Sequence, residues 1–69
     1  MSVNYQYIYA EIDLDTNECI HVFSTSTPNS APCLVELEVD DPEYISKYYI
    51  DGNWYEDAEG TIPWQSSLI

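Results

Sequence analysis

The two side chains best suited to nucleophilic chemistry are Cys19 and His21. They lie two positions apart, so on a β-strand they would share a face and could form a thiolate–imidazole pair. The sequence offers no third residue to orient the imidazole and no evident oxyanion hole. We therefore expect His21 to face solvent or a neighbouring protein, and we expect the chain to have no catalytic residue and not to be an enzyme.

A calcium loop is the second chemistry that the sequence suggests. Asp13, Asp15 and Asn17 have the spacing of the first three ligands of an EF-hand loop. The pattern then fails, because Glu18 stands where the loop needs glycine and Ser24 where it needs a bidentate glutamate. A single histidine and two glycines also leave no zinc centre and no glycine-rich phosphate loop. We expect an acidic hairpin turn, no metal and no cofactor.

Charge excludes further classes of function. The 69 residues include 13 acidic side chains and one lysine, giving a formal net charge of -12. Direct binding to nucleic acid or to an anionic membrane requires clustered basic side chains, so neither is expected. A hydrophobic fraction of 45% favours a folded chain over a disordered one. No segment is typical of a signal peptide or a transmembrane helix, so we expect a soluble product made in the cytosol.

The two cysteines leave an alternative open. Cys19 and Cys33 lack the spacing of a redox or metal motif and are too few for a disulfide scaffold. Two reduced, partly buried thiols are the simpler interpretation. A bridge between them, or cross-links between subunits of a particle outside the reducing cytosol, is the other.

The first 23 residues predict a β-hairpin. Residues 5–14 alternate in polarity with the period of a strand. The aliphatic members face inward and the aromatic and acidic ones outward. The inward set is Ile8, Ala10, Ile12 and Leu14, and the outward set is Tyr5, Tyr7, Tyr9, Glu11 and Asp13. Residues 15–18 have turn chemistry, and residues 19–23 read as the returning strand.

The rest of the chain predicts one further strand, a short helical turn and a second hairpin. Residues 24–32 form a polar loop, and residues 34–40 alternate as a strand. Asp41 and Pro42 are typical of the N-cap and first position of a helix. Asp51 and Gly52 lie between aromatic runs and predict a tight hairpin turn.

These elements predict a mainly β fold. We expect a small antiparallel sheet of four to five strands, with two hairpins, a middle strand and one short helical turn. The domain spans residues 1–56, and residues 57–69 form an irregular tail that folds back or docks on a neighbour. A core this small needs association for stability. Its predicted members are Ile8, Ala10, Ile12, Leu14, Ile20, Val22, Val35, Leu37, Val39, Ile45 and Trp54.

The outward carboxylates suggest one possible function. Alternate strand residues are about 6.6 Å apart, close to the spacing of neighbouring phosphates. Two acidic rows, formed by Glu11 and Asp13 and by Glu36, Glu38 and Asp40, could therefore imitate DNA. Such a protein would inhibit a basic, DNA-binding defence or repair enzyme in the host cytoplasm. The simpler interpretation is that outward strand positions are polar and keep sheet edges apart.

The tyrosines and the apolar tail suggest protein contacts instead. Tyr side chains are enriched at interfaces, where a large rigid area carries a polar tip. The predicted contact residues are Tyr5, Tyr7 and Tyr9 on the first strand and Ile62, Trp64, Leu68 and Ile69 in the tail.

The order of these elements is similar to small β modules among the structural proteins of tailed bacteriophages. The similarity covers residues 5–56, from the first strand through the Asp-Pro-Glu link at 41–43 to the hairpin at 48–55. The long loop at 24–32 and the Trp64 tail depart from it. The resemblance implies a non-enzymatic virion protein of the tail, baseplate, fibre or capsid decoration. It would be made in the host cytoplasm and would bind other virion proteins and copies of itself in symmetric arrays.

Overall fold

The described part of the chain folds into five antiparallel strands and one 3-10 turn. The computed structural model describes residues 7–69. The predicted mainly β class is confirmed, with the strands divided between a three-stranded sheet of order β2-β1-β3 and a separate β4-β5 hairpin. The elements are β1 (Tyr7–Ile12), β2 (Cys19–Thr25), β3 (Leu34–Leu37), the 3-10 turn (Pro42–Tyr44), β4 (Tyr48–Ile50) and β5 (Asn53–Tyr55).

The turn between β1 and β2 is closed by short polar side chains, as predicted. The backbone amide of Asn17 donates to the carbonyl of Asp13 at 2.7 Å. Asn17 has a φ of 66°, a left-handed conformation that asparagine tolerates better than most residues. The carboxylate of Asp13 accepts the amide of Asp15 at 2.9 Å. Asp13 is therefore a turn residue and not an outward strand residue.

The second hairpin also forms where it was predicted. Ile50 pairs with Asn53, which leaves Asp51 and Gly52 as a two-residue turn. Both have positive φ, 50° and 83° respectively, as a type I′ turn requires.

Backbone bonds attach this hairpin to the first sheet. The amide of Cys19 donates to the carbonyl of Lys47 at 2.8 Å, and the amide of Ser46 donates to the carbonyl of Cys19 at 2.9 Å. The amide of Tyr49 donates to the carbonyl of Asn17 at 2.9 Å. The start of β2 is thus paired on both sides.

A β-bulge changes the register near the start of β2. Glu11 pairs with His21, but the next residue of β1, Ile12, pairs with Cys19. Ile20 is the extra residue, and it is 50% exposed. The predicted burial of Ile20 is therefore wrong, because the inserted residue interrupts the alternation of the strand.

The core lies between the three-stranded sheet and the segment that follows β3. Ala10, Ile12 and Leu37 are buried, as predicted. Tyr9, Cys19 and Tyr44 are also buried, although the predicted core does not include them; Cys19 was expected to be partly buried. The other predicted core residues that pack at its margin, partly buried, are Ile8, Val22, Val35, Val39 and Trp54.

Two further core predictions are wrong. Leu14 is 62% exposed, because β1 ends at Ile12 and the hairpin turn begins. Ile45 is exposed because it is the C-cap of the 3-10 turn. β3 also ends earlier than predicted, at Leu37 instead of residue 40.

The predicted helical turn is present as one 3-10 turn. Asp41 is its N-cap, and its carboxylate accepts the amide of Glu43 at 2.9 Å. Pro42 occupies the first helical position, where its missing N–H costs nothing. The turn buries Tyr44, whose ring meets Trp54 and Trp64 edge-on at centroid distances of 4.8 and 4.9 Å.

Candidate interaction surface

The C-terminal segment, residues 57–69, folds back on the domain. The amide of Trp64 donates to the carbonyl of Trp54 at 3.0 Å, and Pro63 forms a bridge with Tyr55. The amide of Glu56 donates to the carbonyl of Ile62 at 2.8 Å. Of the two placements predicted for this segment, the fold shows the first.

A carboxylate holds the loop that starts this segment. Asp57 accepts the hydroxyl of Thr61 and the backbone amides of Thr61 and Ile62. These bonds favour the ionised carboxylate, so they lower the pKa of Asp57, with the Thr61 hydroxyl as the largest contribution.

A buried polar contact fixes the end of the segment. Ser66 is only 2% exposed, and its hydroxyl donates to the carboxylate of Asp41, which is also buried. The same hydroxyl accepts the amide of Leu68 at 3.1 Å. A hydroxyl and a carboxylate that are buried together satisfy one another, so this contact anchors the chain terminus to the 3-10 turn.

Large aliphatic side chains remain exposed in the C-terminal segment and in the earlier part of the domain. Their exposure ranges from 40% to 62%. For comparison, six hydrophobic residues in the described range 7–69 are buried, and only three of them are aliphatic. The exposed side chains are Leu14, Ile20, Ile45, Ile62, Leu68 and Ile69. They include every aliphatic residue of the tail that was predicted as a contact.

Three of these residues are close in the chain to residues that form or bond to the 3-10 turn and its cap. Ile45 is the C-cap of the turn, and Leu68 lies two residues after Ser66, whose hydroxyl binds the N-cap Asp41. Ile20 follows Cys19, whose carbonyl accepts the amide of the residue after Ile45. We call Ile20, Ile45 and Leu68 the apolar rim.

The tyrosines predicted as contacts have different environments. Tyr5 lies outside the described residues. Tyr7 is partly buried and pairs with Thr25 of β2. Tyr9 is buried, because the polar loop crosses it and the amide of Asn29 donates to its hydroxyl at 2.8 Å. Tyr9 therefore does not lie on an exposed contact surface, since its own chain covers it.

Beside Tyr9, the same face of the sheet carries a row of rings along β2. Phe23 lies 5.8 Å from Tyr9 and 5.6 Å from His21, measured between ring centroids. His21 is exposed, and its Nδ1 lies 3.9 Å from a carboxylate oxygen of Glu11. Rings on this face are thus shared between the first two strands.

The predicted acidic rows are less regular than strand spacing would give. Glu36 is exposed and lies on β3, but Glu38 and Asp40 follow the end of that strand. Glu11 is partly exposed, and the carboxylate of Asp13 is bonded within its turn. The carboxylates of the second row are exposed, but only Glu36 has the strand geometry on which the predicted spacing depended.

Lys47, which is the only lysine, lies against the C-terminal segment. Its Nζ is 3.6 Å from a carboxylate oxygen of Glu56 and 5.2 Å from the ring centroid of Trp64. A cation over an indole face is attracted by the ring, so Lys47 helps to hold Trp64 in place.

The bulge separates the side chains that the sequence placed together. Cys19 pairs with Ile12 on the core face, whereas His21 pairs with Glu11 on the opposite face. The predicted sharing of a face is therefore wrong. The thiol of Cys19 contacts the backbone carbonyl of His21 at 3.5 Å, and burial raises the pKa of this thiol. A raised pKa leaves less of the reactive thiolate near neutral pH.

The two cysteines are free thiols. Cys19 and Cys33 flank Ile12 on opposite sides, since Cys19 is its β2 partner and the carbonyl of Cys33 accepts its amide at 2.7 Å. Their Cα atoms are therefore two strand spacings apart, about 9–10 Å, which exceeds the Cα–Cα separation of roughly 7 Å that a disulfide can span. The bridge between them that the sequence left open does not form in this fold.

Within residues 7–69, no group of three or more potential metal-ligating side chains comes together. The same described part of the chain contains no helix that is long and apolar enough to cross a membrane. Comparison with family models, with curated proteins and with solved structures gave no match.

Proposed function

We propose that this chain is a non-enzymatic structural protein that acts by protein–protein contacts among symmetric copies and with neighbouring subunits. The observation that carries the proposal is that, among the described residues, six large aliphatic side chains are exposed while the buried hydrophobic set has no more than six members. Single exposed apolar side chains are ordinary, but this many on a domain with so small a buried core favour a surface that another protein covers.

The contact surface comprises the apolar rim together with Ile62 and Ile69. Covering the exposed half of a Leu or Ile side chain contributes about 1 kcal/mol. Five such side chains give roughly 5 kcal/mol, which does not exceed the estimated cost of immobilising a partner. Repetition of the contact in a symmetric array makes the association strong, because each further contact is intramolecular once the first has formed.

The assembly that we propose is the particle of a tailed bacteriophage, in its tail, baseplate, fibre or decoration layer. The support for this location is the resemblance in the order of elements over residues 5–56. The chain would be made in the host cytoplasm and carried in the virion.

The test is incorporation of a variant with a polar tail. The triple substitution Ile62→Ser, Leu68→Ser and Ile69→Ser removes exposed apolar area without touching the Ser66 anchor. We expect it to be depleted at least about tenfold from purified particles relative to the cell lysate, because each lost contact is repeated in every copy. Quantitative mass spectrometry of particles and lysate measures this ratio.

A matched control changes exposed polar residues of the same segment. The double substitution Gln65→Ala and Ser67→Ala alters neighbouring positions that are equally open to solvent. It should be incorporated like the wild type. Normal incorporation of the polar-tail variant would show that the assigned surface is wrong, and absence of the wild-type chain from particles would reject the virion proposal.

An acidic inhibitor that imitates DNA is the second candidate. Glu36, Glu38 and Asp40 are exposed, and among the described residues none of them has a basic partner within salt-bridge distance. On this alternative, replacing the three by lysine abolishes inhibition of a DNA-binding enzyme and leaves particles unchanged. The polar-tail variant would then inhibit as well as the wild type.

A further inference from the structure

One edge of the three-stranded sheet is open along most of β2. β1 lies in the middle of the sheet, so β2 has a partner on one side only. The segment at Ser46 and Lys47 occupies the outer side of Cys19. From His21 to Thr25 the outer side of β2 has no strand beside it within residues 7–69.

The direction of the backbone groups on this edge follows from one bond. The amide of Ile12 donates to the carbonyl of Cys33, on the β3 side of β1. Backbone groups alternate along a strand, so those of Glu11 and Tyr9 point toward β2, and their partners His21 and Phe23 point back. The amides and carbonyls between these partners, on Val22 and Ser24, therefore point outward. Among the described residues nothing bonds to them.

The open edge lies in the longest uncharged run of the chain. Residues 19–35 contain no Asp, Glu, Lys or Arg, although the net charge of the chain is -12. Natural edge strands are usually protected from pairing by lysine, proline or inward charges, and β2 has none of these. Two strongly acidic copies repel one another least where neither carries a carboxylate, so this edge is where a second copy can approach.

We propose that two copies of this chain pair through their β2 edges, antiparallel and about a two-fold axis at Phe23. This inference rests on the proposed function, and it names one of the contacts between symmetric copies. Val22 of each copy lies opposite Ser24 of the second copy, and each such pair exchanges both backbone hydrogen bonds. The result is a continuous sheet of both three-stranded units.

Side chains on the outer face are compatible with this register. Phe23 meets its own symmetry mate as a non-hydrogen-bonded pair, in which side chains are closest. Within each copy the ring of Phe23 packs beside His21 and the buried Tyr9, so the Phe23 pair joins two existing rows of rings. His21 lies opposite Thr25 of the second copy. No carboxylate lies within the paired segment His21–Thr25.

Proline at Ser24 tests the backbone bonds. The amide of Ser24 points away from β1, so Ser24→Pro removes no bond of the existing sheet and is of the kind tolerated on edge strands. We expect dimerisation to weaken at least about tenfold, because both symmetry-related Ser24 donors are lost. Ser24→Thr keeps the amide and should dimerise like the wild type. Sedimentation equilibrium measures the constants, and circular dichroism checks that each variant is folded.

The salt dependence of the dimerisation constant is a second test, made on the wild-type chain. Pairing brings together two bodies of like charge, so raising the ionic strength from about 0.01 M to 1 M should strengthen the dimer by screening their repulsion. A monomer at every concentration and ionic strength would overturn the proposal. So would a folded Ser24→Pro variant that dimerises like the wild type.

Disulfide trapping tests the register without relying on proline. In a Cys33→Ser background, Phe23→Cys places the new thiols across the axis with Cβ atoms about 4.5–5.5 Å apart, and mild oxidation should link them. Thr25→Cys is the matched control on the same face. The two cysteines at position 25, one in each copy, lie roughly 13 Å apart along the strand and should remain unlinked. Equal cross-linking of the two variants would reject the register at Phe23.

Failure here and failure of the proposed function give different results. A monomeric chain whose polar-tail variant is still depleted from particles rejects pairing through β2 alone. A chain that dimerises as proposed but is absent from particles rejects the virion proposal and leaves the pairing standing.

Discussion

The anchor between Ser66 and Asp41 makes the sharpest prediction about stability. Both residues are buried, and the Ser66 hydroxyl donates to the Asp41 carboxylate. The substitution Ser66→Ala removes this donor and leaves the carboxylate oxygen buried without it. The other oxygen of Asp41 keeps its bond from the amide of Glu43.

The size of the effect follows from the type of bond. A hydrogen bond to a charged group contributes about 1.5–3 kcal/mol, and a buried acceptor left unpaired costs a similar amount. We therefore expect Ser66→Ala to lower the free energy of unfolding by about 2 kcal/mol. For a domain of this size, that loss corresponds to a decrease in Tm of roughly 8–16 °C.

The assay is a double-mutant cycle measured by urea unfolding. Ser66→Ala, Asp41→Ala and the double variant separate the bond from the N-cap role of Asp41. The two changes should be coupled by at least about 1 kcal/mol. Ser67→Ala, an exposed neighbour, is the control and should change stability by less than about 0.5 kcal/mol. Tryptophan fluorescence follows Trp54 and Trp64, which both pack against Tyr44 of the 3-10 turn.

Two results would refute this reasoning. If Ser66→Ala had the stability of the wild type, the buried hydroxyl would not be holding the segment. If the two substitutions were additive in the cycle, the measured loss would come from some change other than the bond between these side chains.

Three further predictions concern local chemistry. Gly52→Ala should cost about 1 kcal/mol through its positive φ alone, because a Cβ there meets no atom within 4 Å, and chemical denaturation measures this cost. An alkylating agent near neutral pH should label the half-buried Cys33 before Cys19, because burial raises the pKa of the Cys19 thiol. Peptide mass spectrometry measures the two rates, and faster labelling of Cys19 would contradict the fold. Because the pKa of Asp57 is lowered in the fold, its ionised carboxylate stabilises the fold above about pH 4. This stabilisation is lost as the pH falls through the folded-state pKa, so Asp57→Asn should flatten the acid side of a plot of stability against pH.

The sequence was sufficient to locate the turns whose conformation depends on the types of one or two residues. Asp51 and Gly52, with positive φ, close the second hairpin, and Asp41 and Pro42 start the 3-10 turn. In each case, the side chain or backbone preference of one or two residues decides the conformation. Period-two alternation likewise located the strands and the mainly β class.

Non-local geometry is what the sequence did not reveal. The bulge at Ile20 carries no glycine to mark it, yet it exposes that residue and puts Cys19 and His21 on opposite faces. Burial of Tyr9 depends on a loop that returns from residues 26–32, which alternation along β1 cannot show. The partnership of Ser66 with Asp41 joins positions 25 residues apart, and neither residue signals the other.

The candidate surface was predicted only in part. The aliphatic residues of the tail are exposed, as predicted. The prediction rested on apolar residues in a segment without strand or helix periodicity. The apolar rim was not predicted, because the sequence assigns Ile20, on the returning strand, and Ile45 to the core. Their exposure follows from a bulge and a helix cap, which are features of backbone geometry.

Stability as a function of chain concentration tests most directly whether this protein is built to associate. Association of folded chains stabilises them by mass action, so the urea midpoint should rise steadily as the chain concentration increases from about 1 μM to 1 mM. A midpoint that is independent of concentration across that range would show a self-sufficient monomer and would contradict the central claim.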